Sequence, residues 1–277
     1  MSNASIPKLF SLDGKVAVVT GSLGLIGKNH CRALAEAGAN IVVTDLDQQA
    51  CDVFASELSI EYSIKALGLG CDITNKESVI ELKDRILEQF SKIDVLVNNA
   101  AINDMFENPA AAAEQSKFEN YPLELFQRSL DVNITGMFLC SQVLGSVIAQ
   151  QGTGSIINIA STYGIVAPDQ SLYARADGSQ SFYKSAAYPV TKGAVISFTR
   201  FLAAYWGHRG VRVNTLSPGG VENNQDAFFV DNYAKRTPLA RMAEPTDYQG
   251  AIVFLASDAS SYMTGANLVV DGGWTAW

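Results

Sequence analysis

From Lys15 onward the chain repeats one theme: a short β-branched run, a turn, then apolar residues at helical spacing. The strand-like runs are Val16–Thr20, Asn40–Asp45, Ile64–Leu69, Val95–Asn98, Ser155–Ile159, Val211–Leu216 and Leu268–Val270. Several are apolar at every position, as expected of parallel strands covered on both faces. Helical patterns lie between them, near Ile26–Ala37, Lys76–Phe90, Leu123–Gln150, Ser185–Trp206 and Thr246–Ala256. Strands alternating with helices predict an α/β fold, a doubly wound parallel sheet in three layers. No shift in composition divides the 277 residues, so a single domain, 1–277, is expected.

Three stretches read as loops: Asn103–Tyr121, Pro168–Lys184 and Gly219–Pro245. Each follows a predicted strand, which places all three at the carboxyl edge of the sheet, where such folds bind ligands. Residues 168–184 are expected to form an active-site flap and 219–245 a substrate lid. The plain alternative is a set of surface insertions.

The formal charge of −8 argues against a nucleic-acid partner, which would call for cations to neutralise phosphates. No apolar run approaches the roughly 20 residues of a membrane span, and MSNASIPKLF lacks the apolar stretch of a secretory signal. Cys31, Cys51, Cys71 and Cys140 are far apart, and His30 and His208 are the only histidines, so no metal site is expected. Reduced, structural cysteines fit a cytoplasmic protein.

The first strand runs into TGSLGLIG, Thr20–Gly27, with glycines at 21, 24 and 27 and a helix following. Glycine lets backbone approach a pyrophosphate closely, and the helix start offers unpaired N–H groups to the anion. The second strand ends in Asp45, suited to accept hydrogen bonds from a ribose and to repel a 2′-phosphate. Neither Ser22 nor Leu46 supplies a cation for that phosphate. The pattern therefore predicts a Rossmann-type fold that binds NAD(H), with NADP(H) disfavoured. Asp45 has a second role open to it, as a helix N-cap.

Of the ten tyrosines, only Tyr188 has a lysine four positions ahead, in YPVTK. On a helix, Tyr188 and Lys192 would share one face. With Ser185 as N-cap, Pro189 falls at the end of the first turn, where a missing N–H is tolerated.

These motifs, with CDIT (71–74), NNAA (98–101), DVNITG around Asn133, IASTYG around Ser161 and SPGGV (217–221), come in an order that resembles the short-chain dehydrogenase/reductase family. The resemblance runs from about Leu12 to Gly273. It implies that Tyr188 is the general acid/base and that Lys192 holds the nicotinamide ribose. Lys192 and the nicotinamide charge would lower the phenol pKa from near 10. Ser161 would orient the substrate oxygen, and Asn133 would distort its helix and hold a proton-relaying water. The cofactor would meet Gly21, Leu25, Ile26, Gly27, Asp45, Leu46, Asp72, Ile73, Asn99, Ala100, Tyr188, Lys192, Pro218, Gly219 and Val221. Each role has a plain counterpart: Ser161 capping a turn, Asn133 bonded to backbone, Lys192 solvated on a helix face.

Three departures stand out. Ala101 replaces the family's glycine, and Glu222 and Asn223 stand where a threonine usually meets the carboxamide. Ser161 and Tyr188 are 27 positions apart, much farther than in most members, because PDQSLYARADGSQSFYK lies between them. In that segment Tyr173, Arg175, Phe182 and Tyr183 are candidate substrate contacts. Arg175 either meets a substrate carboxylate or phosphate or pairs with Asp169 or Asp177. The opposite wall is expected from Asn103–Phe106 and the lid 222–241. Phe228 and Phe229 are either lid anchors or packing residues. Trp274 and Trp277, taken as exposed, suggest a subunit contact in a homo-oligomer, a tetramer or dimer.

The expected activity is NAD(H)-dependent hydride transfer on a secondary alcohol or ketone of a small polar molecule. A sugar, sugar acid or hydroxy acid fits, including one used in surface-sugar or flagellin modification. A 3-oxoacyl-carrier reductase and a non-catalytic NAD(H) sensor are the alternatives.

Overall fold

Seven parallel strands form one sheet in the order β3-β2-β1-β4-β5-β6-β7. They are β1 (Val16–Thr20), β2 (Asn40–Asp45), β3 (Ala66–Gly70), β4 (Val95–Asn98), β5 (Gly154–Ile159), β6 (Val211–Pro218) and β7 (Asn267–Val270). The computed structural model describes residues 5–103, 109–175 and 177–277. Ten α-helices are described: α1 (Ile6–Phe10), α2 (Leu25–Glu36), α3 (Gln48–Tyr62), α4 (Lys76–Phe90), α5 (Pro109–Gln115), α6 (Leu123–Leu130), α7 (Met137–Gln151), α8 (Ala187–Trp206), α9 (Ala227–Arg236) and α10 (Gln249–Ala256).

Burial on both faces explains the unbroken apolar strands. Every residue of β1 and β4 is buried. On one face Leu34 of α2, Phe54 and Leu58 of α3, and Ile252 and Leu255 of α10 form a core with Val19, Ile41 and Val43. On the other, Ile86 of α4, Leu144 and Ile148 of α7, and Leu202 and Trp206 of α8 pack with Val18, Val42 and Leu96. The result is the three-layer doubly wound sheet, with its strand order reversing at β1, which pairs with both β2 and β4.

A chain of buried polar groups crosses the second half of the sheet. Asn98 Nδ2 donates to Ser141 Oγ (3.0 Å) and to Asn158 Oδ1 (2.8 Å). Asn158 Nδ2 donates to Thr199 Oγ1 (2.9 Å), which also accepts from Thr215 Oγ1 (2.8 Å). Strands β4, β5 and β6 are thereby tied to helices α7 and α8.

Several sequence expectations are corrected. β3 starts at Ala66, not Ile64, and α8 starts at Ala187 behind Ala186, which has no oxygen to cap it, so Ser185 is not the N-cap. α3 was missed: Cys51, Phe54, Ala55 and Leu58 hold helical spacing, but two of the four are small. α9 lies within a stretch read as loop. The run 123–151 is 29 residues long and apolar enough to cross a bilayer by length and composition, contrary to the sequence reading. Half of its most apolar window is buried inside the protein, and α7 packs on α4, β4 and β5. Trp274 is buried, stacked on Tyr233 with centroids 4.2 Å apart, so it is not an exposed indole. Trp277 is exposed, and its Nε1 donates to the Arg236 carbonyl (3.2 Å).

Replacing Asn158 with leucine would strip Asn98 and Thr199 of a buried partner. The expected loss is about 2 kcal/mol of folding stability, read from urea denaturation; an unchanged midpoint would show that the polar chain is not stabilising.

Candidate active site

The carboxyl edge of the sheet opens into a cleft of about 730 Å³. Its lower part is built by the glycine-rich turn. Gly21 has a left-handed φ of 62°, and a Cβ there would lie 2.7 Å from the Ala100 Cα. At Gly27 an added Cβ would lie 2.2 Å from the Gly21 carbonyl oxygen. Only glycine closes this turn. Asn99 pins it, donating from Nδ2 to the carbonyls of Thr20 and Gly21, each at 2.9 Å. Helix α2 then starts behind Gly24 with no side-chain cap, and Leu25, Ile26 and Gly27 line the cleft. Its first-turn N–H groups suit a pyrophosphate.

Asp45 is fixed at the end of β2. Its carboxylate accepts from the N–H groups of Leu23 (3.0 Å) and Leu46 (2.8 Å). It is not an N-cap; Asp47 caps α3, accepting from the Ala50 N–H at 3.0 Å. Leu46, Asp72, Ile73, Asn99, Ala100, Pro218, Gly219 and Val221 line the same cleft. Every residue that the sequence assigned to the cofactor therefore faces one continuous space, whose form and donor set fit a dinucleotide.

The upper part joins the end of β5 to α8. Ser161 Oγ accepts from the Tyr163 N–H (3.1 Å), and the Ser161 hydroxyl favours the ionised form of the Tyr188 phenol. Lys192, 3% exposed, donates from Nζ to the Ile159 carbonyl at 2.8 Å and lies 5.6 Å from the centre of the Tyr188 ring. It is not a solvated surface lysine. Pro189, the third residue of α8, sits where helical N–H groups lack partners, so YPVTK stays helical.

The charge balance differs from the sequence expectation. Burial holds the Tyr188 phenol above its ordinary value, and the Ser161 hydroxyl partly offsets that rise. Lys192 does not lower it in the chain alone, because burial pushes the ammonium itself down to about 8 and its hydrogen bond goes to Ile159.

Asn133 stands behind the cleft, in a π-helical segment, Asp131–Gly136, between α6 and α7. Its side chain accepts from the Ile102 N–H (2.8 Å) and donates to the Ile102 carbonyl (3.0 Å) and Thr191 Oγ1 (3.2 Å). Thr191 Oγ1 in turn donates to the Tyr188 carbonyl (2.9 Å). Asn133 thus ties the loop after β4 to the first turns of α8.

Tyr173 and Lys184 of the stretch 168–184 line this end. Gln170–Tyr173 is a 3₁₀ turn, and Ala174 bridges Gln180 in antiparallel fashion. Tyr173 is buried and lines the cleft, packed on Phe182 (4.4 Å) and Phe229 (5.3 Å). Tyr183 and Phe228 do not line it. Arg175 is exposed and does not line the cleft; its guanidinium donates to Ser179 Oγ (3.5 Å), and, behind the Ser179 hydrogen bonds, its charge helps hold the Asp177 carboxyl below its ordinary range, in keeping with a surface pairing to Asp177. Asp169 pairs with Arg236 instead, and Asp177 accepts from Ser179. The cation of this stretch that lines the cleft is Lys184, which the sequence reading passed over. Tyr163 and Tyr233 also line the cleft and were not anticipated. Of the expected wall Asn103–Phe106, Asn103 lines the cleft, and residues 104–106 lie outside the described residues.

Comparison with known proteins places this geometry in context. A family model described as enoyl-(acyl carrier protein) reductase matches residues 24–275. The chain is 35% identical to D-threitol dehydrogenase of Mycolicibacterium smegmatis over 271 residues, 96% of this chain and 95% of that protein. It superposes on a short-chain type dehydrogenase/reductase from Mycobacterium marinum with a TM-score of 0.83, 34% identity and coverage of 98% and 99%. The chain belongs to the short-chain dehydrogenase/reductase family. A gluconate 5-dehydrogenase from Burkholderia cenocepacia, crystallised with NADP and tartrate, superposes with a TM-score of 0.86 at 32% identity, covering 99% and 100%. As a short-chain dehydrogenase/reductase, the protein is an oxidoreductase with a nicotinamide cofactor.

The depressed Lys192 has a measurable consequence. Its folded value of about 8 lies below the ordinary 10.5, so between pH 8 and 10 the unfolded chain binds the extra proton and stability rises with pH. The buried cysteines, held above their usual range, pull the other way in that window. The quantity to measure is therefore the difference between wild type and Lys192→Met without cofactor. That difference should shift by about 2 kcal/mol in favour of wild type from pH 8 to 10; parallel stability curves would contradict it.

Proposed function

We propose that the protein is an NAD(H)-dependent dehydrogenase/reductase acting on the CH–OH group of a small polar alcohol: a polyol, a sugar or a hydroxy acid. The observation that carries this reading is the Ser161–Tyr188–Lys192 group, built at the mouth of a cleft whose other end is a glycine-rich turn. When bound, the nicotinamide gives or takes the hydride. Tyr188 holds and returns the proton of the substrate oxygen, and Ser161 hydrogen-bonds that oxygen as charge develops on it. With the cofactor bound, Lys192 would supply positive charge beside the phenol and would be a residue to hold the ribose. Asn133 sets the position of α8 through Thr191.

The polar substrate class is supported by the similarity to a D-threitol dehydrogenase and to a gluconate 5-dehydrogenase. The preference for NAD(H) rests on the fixed Asp45 carboxylate, with no cation at Ser22 or Leu46 to receive a 2′-phosphate. The Burkholderia relative was crystallised with NADP, so this preference needs its own measurement. The matching family model favours a second reading, reduction of an acyl chain on a carrier protein.

A panel of polyols, sugar acids, hydroxy acids and one 3-oxoacyl thioester, followed by NADH absorbance, tests the assignment. Tyr188→Phe should lower turnover about a thousand-fold while NADH binding survives. Turnover of the thioester alone would establish the second reading, and cofactor binding with no turnover of anything would make the protein a sensor. Wild type should prefer NAD+ to NADP+, and Asp45→Ala should erode that preference by about 30-fold; an unchanged ratio would remove Asp45 as its cause.

A further inference from the structure

Among the described residues, three phenols besides Tyr188 line the cleft: Tyr163, Tyr173 and Tyr233. Tyr233 is committed to the fold. Its ring stacks on Trp274, and its oxygen accepts from the Gly220 N–H at 2.6 Å. Tyr173 differs, because it comes from the long stretch that separates Ser161 from Tyr188. It is 5% exposed, yet it lines the cleft.

Tyr173 is fixed at its backbone and at its ring. Its carbonyl accepts from the Ser181 N–H (2.9 Å) and from Ser181 Oγ (2.7 Å). The ring packs on Phe182 and Phe229, with centroids 4.4 and 5.3 Å away. The turn that carries it is seated on α9: Asn232 Nδ2 donates to the Leu172 carbonyl (3.5 Å), and Arg236 pairs with Asp169. Farther along, Gln170 clamps the segment, accepting from the Lys184 N–H (2.8 Å) and donating to the Lys184 carbonyl (2.9 Å). A ring packed in this way presents its hydroxyl at a set place.

The phenol stays neutral. Burial pushes it up to about 12, the Tyr163 hydroxyl holds it back, and the Tyr233 and Tyr188 phenols add to the rise. Tyr173 therefore keeps its proton through the neutral range and stands near Tyr188. A hydroxyl has one proton to give and two lone pairs. Contact with Tyr163 takes up one of these, and the others suit a substrate hydroxyl, which both donates and accepts.

We infer that Tyr173 is a specificity-determining residue whose hydroxyl meets a second hydroxyl of the substrate, one or two carbons from the carbinol that Tyr188 serves. This inference rests on the dehydrogenase reading above and narrows its substrate to alcohols that carry a second hydroxyl.

Tyr173→Phe removes the oxygen and keeps the ring on Phe182 and Phe229, so its melting temperature should match that of wild type. Two pairs of alcohols read the effect: 2,3-butanediol with 2-butanol, and 2,4-pentanediol with 2-pentanol, each at its best stereoisomer. In kcat/KM, wild type should favour the diol of at least one pair. In Tyr173→Phe that diol-to-mono-ol ratio should fall about tenfold, chiefly through KM. Tyr183→Phe, in the same segment but off the cleft, should leave it unchanged. Ratios unaffected by Tyr173→Phe in both pairs would overturn the inference. So would equal losses on diol and mono-ol in kcat, which would make Tyr173 a support for the Tyr188 phenol. Calorimetric binding of the same alcohols to NADH-loaded wild type gives a second arm, independent of turnover and of variant folding. The diol should bind about tenfold tighter than its mono-ol in at least one pair; no preference in either pair would refute the role. Failure of the dehydrogenase reading looks different: no alcohol yields NADH, and the binding preference still decides the case for Tyr173.

Discussion

A buried ammonium bonded to the end of a strand sets the geometry of this site. Lys192 has almost no exposed surface, and its Nζ donates to the Ile159 carbonyl, the last residue of β5, two positions before Ser161. Burying a cation with one carbonyl partner is unfavourable, and its depressed pKa records the strain. The fold tolerates it because the chain of Asn98, Asn158, Thr199 and Thr215 locks β5 to α8 one layer below. Asn133 and Thr191 lock the first turn of α8 to the loop after β4. Tyr188 then has little freedom, and its phenol meets Ser161. A phenol raised by burial and a lysine lowered by it both stand away from their ordinary values, as is common where chemistry is done.

Above this rigid floor, the wall is aromatic. Tyr173 and Phe182 of the inserted stretch, Phe229 and Tyr233 of α9, and Trp274 near the C-terminus form one small core of their own. The Tyr233 hydroxyl accepts from the Gly220 N–H at 2.6 Å, which brings α9 onto the loop after β6. Three segments distant in sequence thus form one roof. Lys184, Lys192 and Arg128 are the cations that line the cleft among the described residues. Polar selection falls to few groups in such a setting, and each weighs more than it would in water.

Much of this was legible from residues whose role is local. The turn Thr20–Gly27 needs glycine at 21 and 27 because backbone crowds both positions, and that demand shows in the sequence itself. Tyr188 and Lys192 are four apart on one helix, so their pairing follows from helical geometry alone. Asp45 was placed correctly at the strand end, and its neighbours Leu23 and Leu46 explain why it is no cap. What stayed hidden depends on contacts between distant segments. Arg175 attracted notice as the only arginine in the insertion, yet the Gln170 clamp presents Lys184 instead. Trp274 looked exposed at the end of the chain because its partner, Tyr233, is forty-one positions away. Helix α3 was missed because small residues fill half of its buried stripe.

The central claim is that the cleft brings a substrate oxygen, Tyr188 and the cofactor's reactive ring together. A crystal structure of the protein with NAD+ and a hydroxy acid or polyol tests it most directly. The substrate oxygen is predicted within hydrogen-bond reach of both the Tyr188 hydroxyl and Ser161 Oγ, with its carbon facing the nicotinamide. A substrate seated elsewhere, or a nicotinamide ring turned away from Tyr188, would contradict it.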